Sequence, residues 1–220
     1  KVGKQLTEAI CQHRKLSREE AKKEAVRLLE MVQIPNAAER AEQYPHEFSG
    51  GMRQRAMIAM AMSCEPKLLV ADEPTTALDV TIQAQIMKLM AEVREKTGTA
   101  IILITHDLGV VANLADRVAV MYAGKVVETG TVEDIFYRAK HPYTQALLKS
   151  LPTVDTSREE KLVSIAGTPP DLFSPPVGCE FASRCEYCMK VCKAHVPPKY
   201  TFSEQHSASC WRLHPDFKAK

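Results

Sequence analysis

Two short, continuously apolar runs flank one amphipathic stretch, and this arrangement limits what the chain can fold into. Residues 67–72 and 100–105 read as strands, and residues 81–96 between them read as a helix with Gly98 as its stop. Strands apolar at every position are expected to be covered on both faces, as in parallel sheets. Strand, helix, strand in that order implies a crossover connection and parallel pairing. The fold class expected is therefore α/β, with a parallel sheet at its centre.

The surroundings of this unit are helical before it and irregular after it. Ala25, Leu28, Leu29 and Val32 repeat at helical spacing, with Lys and Glu on the opposite face. Ser17-Arg18-Glu19-Glu20 is a capping-box sequence that starts a second helix, and Pro35 ends it. Another helix is expected to open after Gly51 and run to about Ser63. Residues 117–122 and 125–129, joined across Ala123-Gly124, predict a β-hairpin at an antiparallel edge of the sheet. Residues 141–151 predict one more helix, followed by a Ser/Asp/Thr/Glu-rich stretch at 153–160 and then a segment crowded with proline. Three divisions follow: 1–64 helical, 65–135 containing the apolar strands, and 136–220 loop-rich.

Composition narrows the function classes. The 29 basic and 27 acidic residues give a formal charge of +2, which offers no case for a nucleic-acid partner. No apolar run approaches the ~20 residues of a membrane-spanning helix, and Lys1-Val2-Gly3-Lys4-Gln5 lacks an export signature. Five of the seven cysteines (Cys179, Cys185, Cys188, Cys192 and Cys210) fall near the C-terminus. Clustered thiols without an export signal favour metal ligation over a disulfide framework. Iron–sulfur and zinc suit such a donor set equally well. Cys185-x-x-Cys188 is a chelating spacing in its own right.

Three constellations carry candidate chemistry. In Ser49-Gly50-Gly51-Met52, two glycines let backbone N–H groups approach an anion, and the positive end of the following helix adds to the attraction. Taken alone, this reads first as a serine N-cap followed by a Gly-Gly turn. Asp72-Glu73-Pro74 ends the first apolar strand, where ligands bind in open α/β sheets. Asp72 suits Mg²⁺ held through water, and Glu73 suits a general base acting on a water. His106 ends the second apolar strand in the same register, within reach of a phosphate or of that water. Asp79 serves either this site or the N-terminus of the next helix.

Together these segments resemble the ATP-binding cassette (ABC) ATPases. Phe48-Ser49-Gly50-Gly51-Met52 is similar to the signature L-S-G-G-Q. Residues 68–74 resemble Walker B with its catalytic glutamate. Ala77-Leu78-Asp79 is similar to the D-loop and Thr105-His106-Asp107 to the switch histidine. The resemblance covers residues 1 to about 135. His141-Pro142-Tyr143-Thr144, with cysteines spaced C-x5-C-x6-C-x17-C at Cys179, Cys185, Cys192 and Cys210, is similar to the C-terminal extension of dipeptide and oligopeptide importer ATPases.

The resemblance implies a partial RecA-like P-loop NTPase core with a helical signature subdomain and a small Cys-rich, loop-rich C-terminal module. It implies ATP and Mg²⁺, with Glu73 and His106 catalytic and Ser49, Gly50, Gly51, Met52, Asp72 and Asp79 binding nucleotide. It also implies a [4Fe–4S] cluster on the four spaced cysteines, with Zn²⁺ as the alternative. The implied partners are a second ATPase subunit, membrane permeases and, indirectly, an extracytoplasmic peptide-binding protein. The implied location is cytoplasmic, at the inner face of the cell membrane. No G-x-x-x-x-G-K-[ST] loop is present: Gly3-Lys4 and Gly124-Lys125 are the only Gly-Lys pairs, and neither precedes Ser or Thr. The chain is accordingly expected to be the back half of a longer ATPase and inactive alone. Two other readings are weighed: a non-transport ABC ATPase, and an iron–sulfur or zinc module acting in redox or partner binding.

Overall fold

The computed structural model describes residues 1–151 and 164–217, which fall into two compact units, 1–114 and 115–220. The acidic, Ser/Thr-containing stretch at 153–160 lies outside the described residues.

The first unit opens with α1 (Val2–His13) and α2 (Arg18–Met31). Val2, Leu6 and Ile10 of α1 share one face by their spacing of four, and that face is buried. Ala21, Ala25, Leu28 and Leu29 of α2 are buried in the same core. The capping box forms as the sequence predicts. Ser17 Oγ accepts from Glu20 N–H at 3.3 Å, and the Glu20 carboxylate accepts from Ser17 N–H at 2.8 Å. A short α3 (Ala37–Ala41) and α4 (Gly50–Met62) follow. The long apolar run in α4 buries Ala56, Ile58, Ala59 and Met62.

Strand β1 (Leu68–Asp72) pairs in parallel with β2 (Ala100–Ile104), with Asp72 opposite Ile104. Helix α5 (Val80–Thr97) connects them and ends on Gly98 at φ +68°, a left-handed cap that glycine adopts without Cβ strain. Ile86, Leu89, Met90 and Val93 of α5 complete the core. The expectation of strands covered on both faces holds for one face only. Leu69, Ala71 and Ile101 pack on the core, whereas Val70 is 56% and Ile102 50% exposed. A seven-residue α6 (Leu108–Leu114) closes this unit and was not foreseen, although Asp107 Oδ1 caps its start by accepting from Gly109 N–H at 2.8 Å and Val110 N–H at 3.2 Å.

In the second unit β3 (Arg117–Tyr122) and β4 (Lys125–Thr131) form the expected hairpin, turning on Ala123 and Gly124, both at positive φ. Its placement differs from expectation. Among the described residues the hairpin joins a four-stranded antiparallel sheet in the order β3-β4-β6-β5, separate from the β1–β2 pair. The added strands, β5 (Lys199–Thr201) and β6 (Ser207–Ser209), come from the cysteine-rich segment. Glu128 pairs with Ala208 and Thr129 with Ser207, the latter reinforced by a 2.9 Å hydroxyl–hydroxyl bond. Pairings across some 80 residues leave no periodic trace, so the hairpin is legible in the pattern and its neighbour is not.

Helix α7 (Val132–Arg138) starts on a second capping box, Thr131 with Asp134. Helix α8 (Pro142–Lys149) starts on His141, and a short α9 (Lys190–Ala194) lies within the cysteine segment. Val120, Tyr122, Val127, Ile135 and Phe181 form this unit's core. Tyr122, Tyr143 and Phe181 meet there with ring centroids 4.7–5.3 Å apart.

Candidate functional site

Parallel pairing brings the ends of β1 and β2 side by side, and this sets the geometry of the site in the first unit. Asp72 is the last residue of β1 and is exposed. Glu73, next along, has φ +44°, and its N–H donates to Ile104 O at 2.9 Å. That left-handed turn ties the exit of β1 to the exit of β2 and places the Glu73 carboxylate beside His106. His106 Nδ1–H donates to Glu73 Oε1 at 3.1 Å, and Thr76 Oγ1–H donates to Glu73 Oε2 at 2.8 Å. The Thr76 hydroxyl first, and His106 second, hold the Glu73 carboxyl below the usual carboxylate range. With Nδ1 protonated, a neutral His106 keeps a lone pair on Nε2, so that atom accepts a proton and donates only when the ring is charged.

Asp79 caps α5, its Oδ1 accepting from Ile82 N–H at 2.9 Å. Ser49 caps α4, its Oγ accepting from Met52 N–H at 3.3 Å. Gly50 and Gly51 begin that helix against the start of α5. A Cβ on Gly51 would lie 2.9 Å from Ile82 Cγ2, and one on Gly50 would lie 3.4 Å from Leu78. The glycine pair thus permits two helix N-termini to approach closely, in addition to any role toward an anion. Among the described residues no hydrogen bond joins the Ser49 turn to Asp72, Glu73 or His106. The sequence-derived candidates therefore form two groups, with Glu73 and His106 in contact and Ser49–Met52 apart from them. Thr76 was not singled out from sequence. A hydroxyl three residues after the glutamate is a turn signal too common to mark it.

In the second unit Cys179, Cys185, Cys192 and Cys210 line one cavity with His141, Phe181 and Trp211. All seven cysteines are free thiols. Cys179 N–H donates to Cys192 O at 2.7 Å, locking two of the four together. Burial pushes the Cys179 thiol up to about 12 and raises Cys185 and Cys210 as well. Burial also pushes the His141 imidazole down to about 4. Cys188 Sγ–H instead contacts the Met189 carbonyl at 3.7 Å and does not line the cavity. Among the described residues no group of three or more His, Cys, Asp or Glu side chains stands in metal-holding geometry.

Sequence reading also missed a buried polar cluster beside that cavity. The Glu128 carboxylate, 1% exposed, accepts from Lys140 N–H (2.7 Å), His141 N–H (3.0 Å) and His206 Nε2–H (2.9 Å). His206 Nδ1 lies 3.6 Å from Asp134 Oδ1. Nothing in the spacing of 128 and 206 announces this pairing.

A carboxylate–imidazole pair thus stands at adjacent parallel strand ends, with a serine-capped Gly-Gly helix in the same unit. The family model described as "ABC transporter" matches residues 2–76, and that described as "Oligopeptide/dipeptide transporter, C-terminal region" matches residues 127–192. The oligopeptide transport ATP-binding protein OppD of Bacillus subtilis is 61% identical over 98% of this chain and 60% of its own length. The dipeptide transport ATP-binding protein DppD of the same organism is 59% identical over 96% of this chain and 62% of its own. OppD of Escherichia coli is 50% identical over 96% of this chain and 62% of its own. Over nearly all of its own length the chain is similar to oligopeptide and dipeptide transporter ATP-binding proteins. It spans about 60% of the length of the curated relatives it matches. Among solved structures, the ADP- and Pi-bound dimer of the ATP-binding cassette MJ0796 covers 53% of this chain and 49% of its own at 32% identity, with a TM-score of 0.46.

Proposed function

We propose that this chain is the signature and Walker B portion of a nucleotide-binding subunit that powers peptide import across a membrane. The relatives' names supply transport and ATP binding. The observation that carries the reading to this chain is the Glu73–His106 contact at the ends of β1 and β2. In this reading Glu73 takes a proton from the attacking water and His106 keeps the carboxylate oriented. Asp72 would hold Mg²⁺ through water, supplying charge to the phosphates. Ser49, Gly50, Gly51 and Met52 would face the nucleotide held by a second ATPase subunit, with Asp79 beside it. Residues 1–64, 65–135 and 136–220 are then the signature, Walker B and C-terminal divisions. Permease subunits and an extracytoplasmic peptide-binding protein complete the machine, which places the chain on the cytoplasmic face of the membrane. Among the described residues no helix is long and apolar enough to cross it.

For the C-terminal module we infer a [4Fe–4S] cluster, with Zn²⁺ as the second donor-matched ion. The support is the convergence of four thiols on one cavity. A further support is the Tyr200 hydroxyl, buried without a hydrogen-bond partner. Tyr200 pairs with Ala208, so Tyr200 and Cys210 share a face of the sheet. Cys179, Cys185, Cys192 and Cys210 would hold the ion as thiolates, its charge reversing the upward push of burial. Iron with acid-labile sulfide in anaerobically purified protein supports the cluster. Zinc alone supports the second ion, and neither metal overturns both.

The transport reading is tested with a chimera in which residues 1–220 replace the matching region of Bacillus subtilis OppD. The chimera is expected to hydrolyse ATP and sustain peptide uptake, and Glu73→Gln to abolish hydrolysis. A folded, ATP-binding chimera whose turnover is unaffected by Glu73→Gln refutes the assignment.

A further inference from the structure

We infer that Thr76 is a positioning residue for Glu73: its hydroxyl fixes one carboxylate oxygen so that the other is presented to His106 and to the reacting water. This rests on the reading above that Glu73 is the base.

The Glu73 side chain is 46% exposed, so nothing packs it into one rotamer. Its orientation must come from hydrogen bonds. The backbone supplies the first constraint. A non-glycine residue at φ +44° is strained and persists only where neighbouring structure imposes it. Glu73 N–H to Ile104 O at 2.9 Å and Thr76 N–H to Glu73 O at 3.1 Å impose it from both sides. Thr75, 8% exposed, anchors the turn from below, its carbonyl accepting from Leu78 N–H at 3.2 Å and from Gln83 Nε2–H at 3.3 Å. Thr76 therefore stands on a rigid turn. Its hydroxyl meets Oε2 at 2.8 Å while His106 meets Oε1 at 3.1 Å.

The two donors act on different oxygens, so together they remove the rotation that either alone would leave free. Each carboxylate oxygen has two acceptor positions, so one site on each stays open to a water proton. The clamp orients the base without blocking it. A hydroxyl that merely closed the local turn would support folding and leave the coupling between Glu73 and His106 untouched. That difference is measurable.

The test compares wild type, Thr76→Val (same shape, no hydroxyl) and Thr76→Ser in the OppD chimera. All three are expected to fold alike, with the same far-UV circular dichroism and thermal midpoint. In the OppD chimera, Thr76→Val should lower kcat roughly tenfold with little change in KM, and Thr76→Ser should restore it. An unchanged kcat in Thr76→Val, or a Thr76→Ser variant no better than Thr76→Val, overturns the inference. Failure of the underlying reading shows separately, as a Glu73→Gln chimera that turns over at the parent rate.

Discussion

Replacing Glu128 with alanine should destabilise the second unit selectively and severely. The carboxylate is 1% exposed and accepts from Lys140 N–H, His141 N–H and the His206 ring. Alanine orphans all three donors, each worth about 1–3 kcal/mol when left unsatisfied in the interior. It also leaves a cavity and an imidazole without its acceptor. Such losses overlap, so the expected total is about 4 kcal/mol, in the range for breaking a buried pair by removing one partner. Trp211 is the chain's single tryptophan and lies in this unit, bonded through Nε1–H to His195 O at 3.0 Å. Its fluorescence therefore reports unfolding of this unit without interference. With a urea slope of about 2 kcal/mol/M, the midpoint should fall by about 2 M. His206→Ala alone should cost less, and adding it to Glu128→Ala should cost little more, because the two remove one shared interaction. A Glu128→Ala midpoint within about 0.3 M of wild type, or a fully additive double variant, would refute the reasoning.

Gly178→Ala should prevent the cysteine module from closing, because a Cβ there collides with the Cys192 carbonyl that Cys179 N–H uses. Loss of the Trp211 signal, with the helical content of the first unit retained, would show this. Gly51→Ala should be markedly more destabilising than Gly50→Ala, since only the former drives a methyl to 2.9 Å from Ile82; thermal melts of the two variants decide it. Glu24, held by Arg27 and Arg14, has its carboxyl lowered to about 2. A depressed acid stabilises above its unfolded value of 4.5, and that contribution disappears as pH falls toward 2. Glu24→Gln should therefore lower stability at pH 7 and flatten the decline between pH 4.5 and 2.

How much of this was legible beforehand depends on the range over which each interaction acts. Ser17 with Glu20, Asp79 with the start of α5 and Gly98 at its end act within four residues, and the structure has all three as the pattern predicts. The meeting of Glu73 with His106 was inferable because parallel strands in register bring their ends together. The half-covered β1–β2 pair was not, because an apolar run states that a strand can be buried on both faces and not what covers it. The β4–β6 pairing and the Glu128 cluster join residues 78 apart, and no local propensity encodes such a match.

That β4–β6 pairing has a practical consequence. The cysteine-bearing tail supplies the strand that covers one edge of β4, together with the imidazole that donates to Glu128. Trimming the protein ahead of residue 199 would strip that edge bare and leave a buried carboxyl short of a donor. The remnant would be sticky and unsound, so deletion phenotypes for the tail would report on the hairpin as much as on its thiols.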